Sequence, residues 1–470
     1  MTVPQDIPRR RNAMEYRYWA TTDVGRKRKN NEDNFLIDKD LNLFVVADGM
    51  GGHASGEIAS AMAVYTIRDL VFENRDMLES FTPDNPLHQM EVCTLLEHAV
   101  HTACANVWAK AQREPEKKGM GTTVVALMLI GDRGFIAYVG DSRIYLLREG
   151  TVYPLTEDHS LMNELIRSGQ VRAEEFHQSP FARYKNAMTR AVGVHEKVDV
   201  DVLDFDLVSD DAFLLCSDGL YEYLDDSDIA TTLVLPEIEE IPRRFIDLAN
   251  SRGGKDNITA LVVRVRDQGK QRRAGARGGL SVESLRRLPL MRQLSYGQLS
   301  RVLSVASLRA FKPGELLAEE GEEGGELGMV LEGQVALALD GASIRTIDPG
   351  DFFGEMDLTE RSRRTMTATA LTEGQLLTIP REQLHTMLQN DSRLAAKLLW
   401  NLSDTLSARL QATTRELATL RGAQPQTTEV SVSEIVEVTD TDLITEITEV
   451  SDDDLVLEDE DTAVKRVKKK

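Results

Sequence analysis

Four aspartates carry the chemistry that this sequence suggests first, because each sits at one end of an apolar run. Leu43-Phe44-Val45-Val46-Ala47 leads into Asp48-Gly49, and Phe135-Ile136-Ala137-Tyr138-Val139 leads into Gly140-Asp141-Ser142-Arg143. Phe213-Leu214-Leu215-Cys216 leads into Ser217-Asp218-Gly219, and Asp256-Asn257 opens Ile258-Thr259-Ala260-Leu261-Val262-Val263. A single aspartate at the end of a buried strand is ordinarily a turn residue or a helix cap. Four in one stretch of chain strain that explanation. If the four ends converge, the carboxylates repel one another and must either take up protons or bind cations. An all-oxygen site suits hard divalent ions, Mg²⁺ or Mn²⁺. None of the eight histidines forms an HxxxH or HxH pair, which argues against a zinc enzyme. Two hard ions held close together can deprotonate a shared water and clamp both ends of an in-line displacement on phosphorus.

The elements that must position these residues are legible from the same runs. Continuous apolar stretches of this length read as strands buried on both faces. From about Tyr16 to Arg266 they alternate with helical stretches, the pattern of a mixed α+β domain. The division expected is an N-terminal extension over 1–15, a first domain over 16–266, a linker over 267–284, a second domain over 285–420 and a tail over 421–470. Asp267 to Gly279 is rich in Gly, Arg and Lys and reads as a flexible linker. In the second domain, Phe311-Lys312-Pro313-Gly314-Glu315, Gly333-x-Val335 and Gly350-Asp351-Phe352-Phe353-Gly354-Glu355 punctuate short alternating strands, as in a small β-roll. Arg361, Arg363 and Arg364 follow and add local positive charge. Leu394, Leu398, Leu402, Leu406 and Leu410 then recur at helical spacing, extended by Leu417 and Leu420. That stripe predicts a helix packed on its own domain, with a homodimeric coiled coil as the second reading. Glu429 to Asp461 is acidic and poor in aromatics, ahead of a basic end at Lys465 to Lys470, and reads as a mainly disordered tail. Thr439, Thr441, Thr445 and Thr448 stand among its carboxylates as candidate phosphorylation sites.

Composition bounds the rest. A chain of 470 residues with 41% apolar content can fill two cores. The formal net charge of −22 argues against a general nucleic-acid binder. Cys93, Cys104 and Cys216 are scattered, as in a reducing compartment. There is no apolar run near the length of a membrane span and no apolar segment after Arg9-Arg10-Arg11. The expected setting is cytoplasmic, with no membrane and no nucleic-acid partner.

The motifs of the first domain resemble those of the metal-dependent protein phosphatases, the type 2C family. In order, they are Gly25-x-x-Arg28-x-x-Asn31-Glu32-Asp33, Ala47-Asp48-Gly49-Met50-Gly51-Gly52-His53, Gly121-Thr122-Thr123, Gly140-Asp141-Ser142-Arg143 and Thr156-x-Asp158-His159-Ser160. Thr189-Arg190-Ala191-Val192-Gly193, Ser217-Asp218-Gly219 and Asp256-Asn257-Ile258-Thr259 complete the series. The resemblance implies a four-layer α/β/β/α sandwich with two Mn²⁺ or Mg²⁺ ions in a cleft at one edge of the central sheets. It implies that Asp33 and Asp48 flank the ions, that the Gly49 carbonyl is a further ligand, and that Asp218 and Asp256 hold one ion. Glu32 would act through a bound water, and Asp141 would help a third site beside Asp218. Arg28 would grip the substrate phosphate, and the nucleophile would be the metal-bridging hydroxide. Animal members carry a histidine where Met50 stands here. His53 matches the bacterial form of the motif, with a direct catalytic role and a structural hydrogen bond both open for it; His159 reads as structural. The stretch between Asp158 and Thr189, with Arg167, Arg172 and Arg183, occupies the place of the family's flap.

From roughly Leu290 to Leu410 the chain resembles the cyclic-nucleotide-binding domains. That resemblance places a cyclic phosphate on backbone N–H groups of a short helix after Gly354, the ribose hydroxyl on Glu355, and Arg364 on the phosphate. Thr365 is compatible with cAMP or cGMP. Asp357 and Met366 replace small residues usual beside the phosphate, and Gly328 stands where a large residue is common. Together the two resemblances imply an α+β chain: a four-layer sandwich followed by a β-roll with flanking helices. The function expected is signal-transducing hydrolysis of phosphoserine and phosphothreonine on phosphorylated proteins, regulated by the second domain. The alternatives are a roll that binds no ligand and serves docking or dimerisation, and a catalytically silent signalling scaffold.

Overall fold

The computed structural model describes residues 14–51, 55–83, 85–167, 170–171, 175–176, 179–184, 187–267, 282–355 and 363–420. The linker, the acidic tail with its threonines, and His53, Arg172, Asp357 and Arg361 lie outside the described residues. The chain divides into two compact units, the first carrying 14–267 and the second 282–420.

Two five-stranded antiparallel sheets form the centre of the first unit. One runs Met14–Asp23, Ile258–Asp267, Ala212–Cys216, Arg143–Arg148, Thr151–Pro154; the other runs Asp201–Asp206, Arg133–Val139, Val124–Ile130, Leu43–Ala47, Asn34–Asp38. The four runs that end on aspartates are all strands, and their apolar side chains are fully buried because each sheet is covered twice. Between the sheets, Tyr18 meets Phe44 with ring centroids 5.4 Å apart, and Phe205 meets Phe213 at 5.8 Å. On the outer face of the second sheet lie helices Ser55–Glu73 and Pro86–Arg113, which share one core with it. The longer helix starts where Asn85 accepts a hydrogen bond from Leu87 N–H and Pro86 takes the first turn, which has no need of its N–H. Its buried Val92, Leu96, Ala99, Val100, Ala103 and Val107 recur at helical spacing. Helices Asp226–Leu233 and Glu240–Arg252 cover the first sheet in the same way. The layers are therefore helix, sheet, sheet, helix. Strand pairing reaches Met14 and Asp267 at the rim of the first sheet. Among the described residues no helix is long and apolar enough to cross a membrane.

The second unit is a roll of two four-stranded antiparallel sheets around Phe311, Val330, Val335, Ile347, Phe353 and Leu376. Helices Val282–Arg286 and Tyr296–Val305 precede it, and Arg381–Asn390 and Ser392–Leu420 follow. Ser295 and Gln298 form a reciprocal cap at the start of Tyr296–Val305. The leucine stripe of the last helix divides in two: Leu394 and Leu398 are buried, whereas Leu406, Leu410 and Leu417 are exposed. Packing on its own domain thus accounts for the first half of the stripe alone.

Candidate functional site

Register brings the aspartates to one edge. Cys216 pairs with Ala260 across adjacent antiparallel strands, so the chain leaves towards Asp218 where it enters from Asp256. In the other sheet, Leu43–Ala47 and Arg133–Val139 flank Val124–Ile130, with Val46 opposite Val125 and Val139 opposite Val124. Asp48 and Asp141 consequently emerge at the same end.

Asp33 joins the two sheets. It directly precedes the edge strand Asn34–Asp38 of the second sheet, yet its Oδ2 accepts hydrogen bonds from Ser217 Oγ (2.7 Å) and Thr259 Oγ1 (2.6 Å) of the first. Its Oδ1 is buried with no hydrogen-bond donor beside it, and the Asp48 carboxyl lies within interaction range. Burial pushes the Asp33 carboxyl up to about 6, against the two hydroxyl hydrogen bonds, and the charge of Asp256 adds to the rise. An orphaned carboxylate oxygen among other carboxylates is what a hard cation would satisfy. Among the described residues, no three His, Cys, Asp or Glu side chains close into a ready cage.

The surrounding chain is held by backbone approach that side chains would block. A Cβ on Gly49 would lie 2.2 Å from the Gly56 carbonyl oxygen and 2.5 Å from that of Glu32. The Asp48 carbonyl accepts from Thr123 N–H (2.8 Å) and Thr122 Oγ1 (2.7 Å), and Asp48 N–H donates to Thr123 Oγ1 (3.0 Å), which is the work of the Gly121-Thr122-Thr123 motif. Arg28 donates to Asp256 Oδ2 at 2.7 Å and is half exposed. Asn257, buried, pins the loop that carries Arg28 and Glu32: its Oδ1 accepts from Glu32 N–H (2.9 Å), and its Nδ2 donates to the carbonyls of Val24 (3.1 Å) and Asn30 (2.8 Å). Sequence reasoning gave no role to Asn257, Ser217 or Thr259. Their signal was their place inside the Asp-Asn-Ile-Thr and Ser-Asp-Gly motifs, next to each aspartate.

Asp141 stands at the end of a turn in which Gly140 takes φ +101°. His159 holds that turn, as its structural reading predicts. Its Nδ1 accepts from Gly140 N–H at 3.0 Å and its N–H donates to the Gly140 carbonyl at 3.0 Å. Its Nε2 lies 3.4 Å from Asp201 Oδ2. Asp141 and Asp218 both bear on Tyr221, whose phenol is raised by burial and then by Asp141, Asp158 and Asp218. Arg143 stacks over that ring at 3.6 Å while pairing with Asp158 through two bonds of 2.8 and 2.6 Å. Met50 is buried.

In the second unit a pocket of about 210 Å³ opens beside Leu337, Phe353, Glu355, Arg364, Thr365 and Arg409. It gathers Gly354, Glu355, Arg364 and Thr365, while the short helix expected after Gly354 lies outside the described residues. Glu355 is engaged by Arg409 of the last helix (2.8 Å), which also donates to the Phe352 carbonyl (2.9 Å) and stacks on the Phe352 ring at 4.1 Å. Arg364 is buried and donates to the Glu326 carbonyl at 3.0 Å. A Cβ on Gly354 would meet its guanidinium at 2.2 Å, so glycine is what admits the arginine. Arg409 was not foreseen, because nothing in sequence ties a residue of the helix to Glu355.

The family model described as Protein phosphatase 2C matches residues 25–258, and that described as Cyclic nucleotide-binding domain matches residues 308–391. The serine/threonine phosphatase stp of Listeria welshimeri is 39% identical over 246 residues, which are 52% of this chain and 93% of that protein. The serine/threonine protein phosphatase PstP of Mycobacterium tuberculosis is 35% identical over 251 residues, 53% of this chain and 45% of that protein. A crystal structure of the PstP catalytic domain in complex with two manganese ions is 33% identical with a TM-score of 0.45, covering 54% of this chain and 100% of that one. The chain belongs to the protein phosphatase 2C family.

Proposed function

We propose that this chain hydrolyses phosphoserine and phosphothreonine on protein substrates, using two hard divalent cations, Mn²⁺ or Mg²⁺, at the edge of its two sheets. The observation that carries the reading is the seam at Asp33, where carboxylates from both sheets gather round a buried oxygen with no donor. In this reading Asp48, Asp218, Asp256 and the Gly49 carbonyl are the ligands, Asp33 flanks them, Glu32 acts through water, and Asp141 serves a third ion. When bound, the ions supply positive charge at the phosphoryl oxygens and an activated water. The chain's own residues do the positioning. Arg28 offers a planar fork to the phosphate from a loop that Asn257 fixes at three points. The Thr122 and Thr123 hydroxyls hold the backbone of Asp48, the residue before Gly49. The test is turnover of p-nitrophenyl phosphate and a phosphothreonine peptide with Mn²⁺, with EDTA, and in an Asp218→Asn variant. Turnover that survives EDTA and the substitution would overturn the assignment.

For the second unit two readings have support. The pocket bearing Glu355, Arg364 and Thr365 supports regulation by cAMP or cGMP. The engagement of Glu355 by Arg409 and of Arg364 by the Glu326 carbonyl supports a roll that works without nucleotide. The exposed Leu399, Trp400, Leu406, Leu410 and Leu417 then offer a face for a homodimer. Calorimetric titration with both nucleotides decides the first, and light-scattering mass in solution decides the second.

A further inference from the structure

The Gly25–Asn31 loop carries an unusual charge for a chain of net −22: Arg26, Lys27, Arg28 and Lys29 stand in succession, and all four are exposed. The loop is laid against the chain that leads into the first sheet. Arg26 N–H donates to the Gly254 carbonyl at 2.7 Å, and a Cβ on Gly25 would fall 2.0 Å from the Asp256 carbonyl oxygen. Lys255, also exposed, lies between those two anchor points. Arg28 is turned inward to Asp256, whereas Arg26, Lys27, Lys29 and Lys255 are in no ion pair with another described residue. A rim of exposed cations therefore adjoins Asp256 and the carboxylates gathered with it, the floor of the candidate site. Such a rim attracts an anionic chain beyond the phosphate itself, where the floor alone would repel it.

The same sequence contains a segment of the complementary kind. No Lys or Arg occurs between 422 and 464, and each of the five hydroxyl residues from Thr439 to Ser451 is followed at once by a carboxylate: Thr439-Asp440, Thr441-Asp442, Thr445-Glu446, Thr448-Glu449 and Ser451-Asp452. A phosphate placed on any of them sits one residue from a carboxylate and a few residues from the next. That spacing would let Arg28 take the phosphate while Lys27, Lys29 and Lys255 meet the flanking acids.

We propose that the cationic rim selects phosphorylated hydroxyl residues flanked by acids, and that the chain's own 439–452 segment, once phosphorylated, is the occupant it is built for. This rests on the phosphatase reading above. The reaction is the same hydrolysis: water adds to phosphorus, the threonine oxygen leaves with a proton, and inorganic phosphate is released.

The experiment uses the full chain with Mn²⁺ and a peptide of residues 436–451 phosphorylated at Thr441, beside a twin in which every Asp and Glu is replaced by Asn or Gln. The wild type should favour the acidic peptide at least tenfold in kcat/KM. The preference should collapse towards one in 0.5 M salt and in the double variant Lys27→Glu/Lys29→Glu, because exposed charges at this range are screened. A wild-type ratio near one, or a ratio unchanged in the variant, overturns the rim's role. In a second arm, full-length chain carrying phosphothreonine at 441 is purified in EDTA and started with Mn²⁺; retention of that phosphate while the acidic peptide is consumed overturns the segment as occupant. Wild type that fails to turn over p-nitrophenyl phosphate under the same conditions refutes the phosphatase reading instead, a result separate from either.

Discussion

Replacing Asn257 by alanine tests whether a residue that touches no phosphate sets the affinity for one. The side chain is buried and closes three hydrogen bonds, to Glu32 N–H at 2.9 Å, the Val24 carbonyl at 3.1 Å and the Asn30 carbonyl at 2.8 Å. Each such bond contributes about 1 kcal/mol net, and a partner left buried without water costs about 1–3 kcal/mol. The loop's outer half is exposed, so water can reach some of these groups, and a total of about 2–4 kcal/mol follows. In a unit of this size each kcal/mol moves the melting temperature by about 2–4 °C, so a fall of roughly 4–16 °C is expected by calorimetry. The loop bearing Arg28 should also lose its register. KM for a phosphothreonine peptide should rise several-fold, with kcat less affected, because phosphate positioning is lost while the carboxylate floor is kept. Asn257→Asp sharpens the result: it can still accept from Glu32 N–H but cannot donate to two carbonyls, and it adds a charge beside Asp256. A melting temperature within about 1 °C of wild type, together with an unchanged KM, would refute the reasoning, since three bonds of this kind cannot all be idle.

Other outcomes follow from the same geometry. Protein stripped with EDTA should gain thermal stability on Mn²⁺ addition, by about 2.7 kcal/mol at a hundredfold excess over Kd, and Asp218→Asn should lose most of that gain; differential scanning fluorimetry reads both. Asp211 is fully buried under Arg148, which donates to its two oxygens at 2.8 and 2.7 Å, so Asp211→Ala should cost about 3–5 kcal/mol by denaturant titration through a stranded guanidinium. Arg409→Ala should free Glu355 and loosen the last helix. Hydrogen exchange should show reduced protection near residue 409, and unaltered exchange there would mean that the Glu355 contact does not anchor the helix.

Much of the catalytic unit was legible in sequence. The apolar runs fixed which segments become strands, since a stretch such as Leu43–Ala47 has nowhere to go but between two covering layers. Motif order then supplied the aspartates, Arg28 and the glycines where backbone approaches backbone. What sequence could not supply was partnership across distance. Ser217 and Thr259 meet Asp33 through more than 180 residues of intervening chain, and only the stacking of one sheet on the other brings a hydroxyl from the first to a carboxylate of the second. Asn257 reads as one more polar residue after an aspartate until the fold places the Val24–Glu32 loop around it. The last helix shows the same limit. Its leucine spacing determined that it is helical, but periodicity records only that one face is apolar. Burial of Leu394 and Leu398, exposure of Leu410, and the reach of Arg409 to Glu355 were decided by what the helix lies against, the Pro289–Met291 turn and helix Arg381–Asn390, and Phe352–Glu355 at Arg409 alone. Local pattern is set by neighbours in sequence, whereas hydrogen bonds and burial are set by neighbours in space, and the folded packing alone chooses those.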